Sequence, residues 1–125
     1  MEPKTIKKIG VLTSGGDSPG MNAAIRAVIR TGLYYDLEMY GIYRGYEGMI
    51  HNDIKKMESK NITHVLERGG TFLKSARSAE FRTPEGRKIA YDNLVSHGID
   101  ALVVIGGDGS LTGAHLFYKD LVFLQ

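Results

Sequence analysis

Apolar positions in this chain fall either in short runs or at helical spacing, and the order of the two kinds predicts an α/β domain. Ile6 to Leu12 is a short apolar run interrupted by Lys7-Lys8, with the length and β-branched content of a strand. From about Pro19 to Thr31, Met21, Ala24, Ile25, Val28 and Ile29 recur on one face of an amphipathic helix. Asp17 or Ser18 is placed to cap that helix, Pro19 to begin it and Gly32 to end it. Leu37 to Tyr43 reads as a second strand. Residues 49–82 have no clean period, and a short helix from Ile62 to Arg68, stopped by Gly69-Gly70, is what the pattern offers there. Thr83-Pro84-Glu85 opens a further helix that Gly98 closes, and Ala101 to Ile105 is wholly apolar, a strand buried on both faces. Strand, helix and strand in this order predict an α/β fold: a three-layer (αβα), Rossmann-like, mostly parallel sheet.

The turns behind the strands carry the candidate chemistry. The first strand runs into Gly15-Gly16-Asp17 and the last into Gly106-Gly107-Asp108-Gly109-Ser110. Small residues between a strand and a helix leave unpaired backbone N–H groups at the positive end of the helix, where an anion is favoured. A carboxylate repels phosphate unless a cation lies between them, so Asp108 points to Mg²⁺ bridged to a nucleotide. The competing reading is a tight turn with an aspartate cap. Two such turns in one parallel sheet would share the carboxyl edge of the strands, where open α/β folds place ligands. Tyr46, among glycines just past the second strand, can lie against a base or cover the sheet edge. Arg77 ends a hydroxyl-rich stretch of a long loop and suits a phosphate-facing guanidinium, with an ion pair to Glu80 as the alternative. Arg26 and Arg30, one helical turn apart, would either share an anion or form a solvated basic face.

Composition narrows the partners. Sixteen basic against fourteen acidic residues give a net charge of +2, too little to argue for nucleic acid. With zero cysteines there is neither a disulfide framework nor a thiolate metal site. No apolar stretch approaches membrane-spanning length and no signal-peptide core follows the first residues, so no membrane partner is expected and the cytoplasm is the expected location. His51, His64, His97 and His115 are too scattered for the i, i+4 histidine pair of a zinc helix. Neither a nucleophile elbow nor a Walker-type Gly-Lys-Ser/Thr is present, so any ATP is held without a P-loop.

Three ordered segments together resemble the amino-terminal part of the ATP-dependent 6-phosphofructokinase family. They are Ile9 to Asp17 continuing through Pro19 to Arg26, Gly69 to Leu73 with Ser75 to Arg77, and Ile105 to Ser110. The resemblance covers residues 6 to about 118 and implies that Gly16, Tyr46, Arg77 and Ser78 contact ATP, that Gly107, Asp108, Gly109 and Ser110 cradle its phosphates, and that Asp108 holds Mg²⁺. It also implies that Arg77 stabilises charge on the transferring phosphoryl group. Arg26 and Arg30 match arginines of the bacterial effector site between subunits of a homotetramer, whereas Ser59-Lys60 stand near where another effector arginine would fall. Gly109 favours ATP, because pyrophosphate-dependent relatives tend to carry Asp there and a side chain would crowd the α-phosphate. The family's activity is the glycolytic transfer of a phosphoryl group from MgATP to fructose 6-phosphate. Its Thr-Ile-Asp-Asn-Asp segment, with the aspartate that accepts the sugar hydroxyl's proton, is not found in these residues. Residues 1–125 are therefore expected to be a partial ATP-binding domain without the sugar-phosphate domain, inactive alone. The alternative is a non-catalytic nucleotide-binding fragment.

Overall fold

A computed structural model describes residues 5–14, 20–63, 73–74, 78–106, 113–115 and 117. In chain order the elements are β1 (Lys8–Ser14), α1 (Met21–Tyr34), β2 (Glu38–Ile42), α2 (Gly45–Ile50), β3 (Ile54–Met57), α3 (Ser59–Ile62), a 3-10 turn (Glu80–Arg82), α4 (Pro84–Ser96) and β4 (Ala101–Gly106). The strands form one sheet in the order β3-β2-β1-β4. β1 lies parallel to both β2 and β4, and β3 returns antiparallel along β2.

Alternation along the strands divides the core into two layers, as the sequence pattern predicts. Val11 and Met39 face Ile25, Ile29 and Ile62 of α1 and α3. Leu12, Tyr40 and Ile42 point the other way, onto Met49, Ile50, Phe81, Ala90 and Leu94. Each large apolar side chain so buried stabilises the fold by about 1.5–3 kcal/mol. The α4 start matches its reading: the Thr83 hydroxyl accepts from the Gly86 N–H at 3.0 Å, with Pro84 at the first turn. Thr83→Ala should cost about 1 kcal/mol, read as a lower urea midpoint at unchanged slope.

Three readings are corrected. Gly32 does not end the first helix; it lies buried inside α1, which runs on to Tyr34. A Cβ at Gly32 would stand 2.1 Å from Met39 Sδ, so glycine here permits close helix-to-strand approach, and the turn is made by Asp36 at φ 61°. β4 sends Leu102 and Val104 to one layer and Val103 and Ile105 to the other, but all are only half-buried. Among the described residues β4 is the sheet edge, with β1 as its one neighbour, so solvent reaches both faces. Between residues 45 and 62 the structure holds α2, β3 and α3, where no element was expected before Ile62. Each is four to six residues long, too short for a period to show. Apart from Ile62 and Thr63, the helix expected from Ile62 to Arg68 lies outside the described residues, as do Gly69-Gly70.

Candidate functional site

The sheet register brings together the strand ends that precede the two Gly-Gly-Asp segments. β1 and β4 pair in parallel from Ile9 with Ala101 to Ser14 with Gly106. The chain therefore enters both turns from adjacent strands at one edge of the sheet. From β1 the connection through α1 goes to β2 on one side, while β4 lies on the other. This reversal of strand order is the place where open α/β sheets bind ligands. Gly16, Gly107, Asp108, Gly109 and Ser110 themselves lie outside the described residues.

Around that edge the fold gathers the other predicted segments. Thr13, fully buried, donates its hydroxyl to the Lys74 carbonyl at 3.0 Å. The Arg44 N–H donates to the Leu73 carbonyl at 2.9 Å, so residues 73–74 are tied to the ends of both β1 and β2. Gly45, at φ +59°, lies so close over β1 that a Cβ would stand 2.8 Å from the Thr13 carbonyl oxygen. At the far end of the same loop the Ser78 hydroxyl is bonded to the Glu47 carboxylate and accepts from the Phe81 N–H at 3.2 Å. The loop that carries Arg77 is thus fastened on both sides of it, although Arg77 lies outside the described residues.

Tyr46 packs rather than protrudes. It is 7% exposed and lies flat on Phe81, with ring centroids 4.2 Å apart and 20° between the planes. Gly113 seats against its edge, where a Cβ would come within 2.9 Å of Cε2. Burial pushes the phenol up to about 12, so it is neutral at physiological pH. The reverse holds for Glu47, whose carboxyl is held below the usual carboxylate range by the Ser78 hydroxyl and by His51, against the opposing effect of burial. A depressed carboxyl stabilises the fold above its unfolded value and loses that contribution as pH falls through its folded value. Glu47→Gln should therefore cost stability at neutral pH, and the difference from wild type should close below about pH 4. Urea unfolding at a series of pH values checks this.

Arg26 and Arg30 lie together on α1, half-buried, and the Nε of each is buried without a hydrogen-bond partner among the described residues. Arg30, Thr31, Leu33, Tyr34, Tyr35 and Ser59 line an open groove of about 650 Å³ on that side. Sequence reasoning missed Thr13, Gly45 and Glu47. Thr13 was readable as the first of two hydroxyl residues, with Ser14, that end an apolar strand before glycines. The contacts of Gly45 and Glu47 depend on how α2 docks, which no local pattern encodes.

No helix among the described residues is long and apolar enough to cross a membrane. The family model described as phosphofructokinase matches residues 8–123. An ATP-dependent 6-phosphofructokinase 2 of Bacteroides thetaiotaomicron is 60% identical over 116 residues, which are 93% of this chain and 36% of that protein. An ATP-dependent 6-phosphofructokinase of Macrococcus caseolyticus is 62% identical over 109 residues, 87% of this chain and 34% of its own length. The solved phosphofructokinase of Saccharomyces cerevisiae superposes with a TM-score of 0.87 at 56% identity, over 91% of this chain and 16% of that one. The chain thus spans about a third of the curated relatives it matches.

Proposed function

The chain belongs to the phosphofructokinase family, and from this we propose that its β1–β4 edge binds MgATP as the nucleotide-binding part of an ATP-dependent 6-phosphofructokinase. The pairing of Ser14 with Gly106 supports the reading, because it sets the strand ends that lead into the two glycine segments side by side. In this account the turn from Gly107 to Ser110 offers backbone N–H groups to the phosphates, with Gly16 opposite. Asp108, two positions past Gly106, is a hard oxygen donor that suits Mg²⁺ shared with substrate phosphates. When bound, the ion neutralises charge on those phosphates. Arg77, from the loop fastened at Lys74 and Ser78, adds a guanidinium to the transferring group.

The full reaction in this reading moves the γ-phosphoryl of ATP to fructose 6-phosphate, in a cytoplasmic homotetramer. Arg26 and Arg30, with buried Nε atoms that would gain an acceptor, serve its effector site. In this reading the proton-accepting aspartate and most sugar-phosphate contacts implied by the family are not among residues 1–125, which match 36% of the length of one relative. The chain alone therefore binds nucleotide without turnover.

Calorimetric titration with MgATP tests the site. Saturable binding that weakens on chelation of the metal and in Asp108→Ala supports it, whereas metal-dependent binding untouched by that substitution refutes the role of Asp108. A coupled assay for fructose 1,6-bisphosphate tests the rest: robust turnover by this chain alone would contradict the division of labour.

A further inference from the structure

The histidines are scattered in sequence, but the fold brings one of them to two carboxylates. Glu47 and His51 stand four residues apart on α2 and its C-terminal cap, on one helical face, with His51 Nε2 2.7 Å from Glu47 Oε1. The 3-10 turn, far along the chain, sets Glu80 beside them. One ligand atom from each of the three lies within 4.8 Å of the other two. We propose that Glu47, His51 and Glu80 form a binding site for a divalent transition-metal ion, best matched by Zn²⁺.

The donor set decides the class of ion. One imidazole nitrogen with two carboxylates suits a borderline cation, whereas Mg²⁺ takes oxygen ligands and keeps its waters. Three protein ligands also leave a fourth tetrahedral position for water. Ligands ~2.1 Å from a tetrahedral ion stand about 3.4 Å from one another. Glu47 and His51 are already closer than that, and the Glu80 side chain is exposed. The ion takes the place of the hydrogen bond that joins Glu47 and His51. Glu47 has an outer partner as well, since the Ser78 hydroxyl bonds its carboxylate and fixes its direction. A bound ion would join α2 to the Glu80–Arg82 turn across the Tyr46–Phe81 stack, and so would stabilise the folded chain by mass action. None of the three ligands is among the residues assigned to the nucleotide, although Ser78, which is, bonds Glu47.

The test uses the tag-free chain, titrated with Zn²⁺ by calorimetry and with Co²⁺ by visible absorption, whose ligand-field bands report nitrogen coordination. The expected result is uptake of one equivalent, weakened at least about tenfold by His51→Ala and by Glu80→Gln. It should be retained in His97→Ala, whose ring bonds Asn52 instead. These positions of His51 and Glu80 are exposed, and circular dichroism verifies that the variants fold. Absence of one-equivalent uptake, its undiminished survival in either ligand variant, or its loss in His97→Ala overturns the assignment.

Discussion

Gly48→Ala should lower the stability of the fold by about 3 kcal/mol or more, a large part of the ~5–15 kcal/mol that holds a domain together. A Cβ at Gly48 would stand 1.5 Å from the Tyr43 carbonyl oxygen and 2.7 Å from its carbon. Both are backbone atoms, so no side-chain rotation makes room. The Tyr43 N–H donates to the Asp53 carbonyl at 3.0 Å, and the Asp53 N–H donates to the Gly48 carbonyl at 2.7 Å. These bonds lock the turn against adjustment. Relief therefore requires α2 to lift from β2, taking Tyr46, Met49 and Ile50 out of the core. Urea unfolding should show a much lower midpoint, and an unchanged midpoint would mean that α2 is not held against the sheet in this way.

The second large effect concerns chemistry. In a protein of the relatives' full length, Arg77→Ala should reduce kcat on the order of 10³-fold or more, the scale seen when a guanidinium is removed from a transferring phosphoryl group. Arg77→Lys should recover only a part, because an ammonium cannot grip two oxygens in a plane. The loop keeps its anchors in both variants, Lys74 on Thr13 and Ser78 on Glu47, so stability should be unchanged. Steady-state kinetics beside a thermal melt separate the two effects. A kcat within a few-fold of wild type would remove Arg77 from the reaction.

Much of this was legible along the chain because it is local. The helical spacing of Met21, Ile25 and Ile29 and the Thr83-Pro84 cap both appear as read. The two glycine segments stand out in the sequence, but the adjacency of the strands leading into them does not: the pairing of Ser14 with Gly106 joins strands some ninety residues apart, and nothing near either one encodes it. Gly32 misled because glycine serves both helix ends and close packing, and only the position of Met39 distinguishes them. α2 and β3 escaped because their stability comes from docking: Asn93 of α4 donates to the Met49 and Ile50 carbonyls at 2.8 and 3.0 Å, closing a helix too short to stand alone. The same long-range docking explains why His51 read as an ordinary surface histidine. Its bonded carboxylate, Glu47, is one helical turn away, but Glu80 arrives beside the pair on a turn twenty-nine positions later.

The central claim is that the edge shared by β1 and β4 is the nucleotide site, and amide chemical-shift mapping of the isotope-labelled chain with MgATP tests it most directly. The account predicts the largest shifts at Ser14, Gly106 and Ser78, with Lys55 and Lys56 on the far strand unmoved. Largest shifts along α1 around Arg30, or none at Ser14 and Gly106 at saturation, would contradict it.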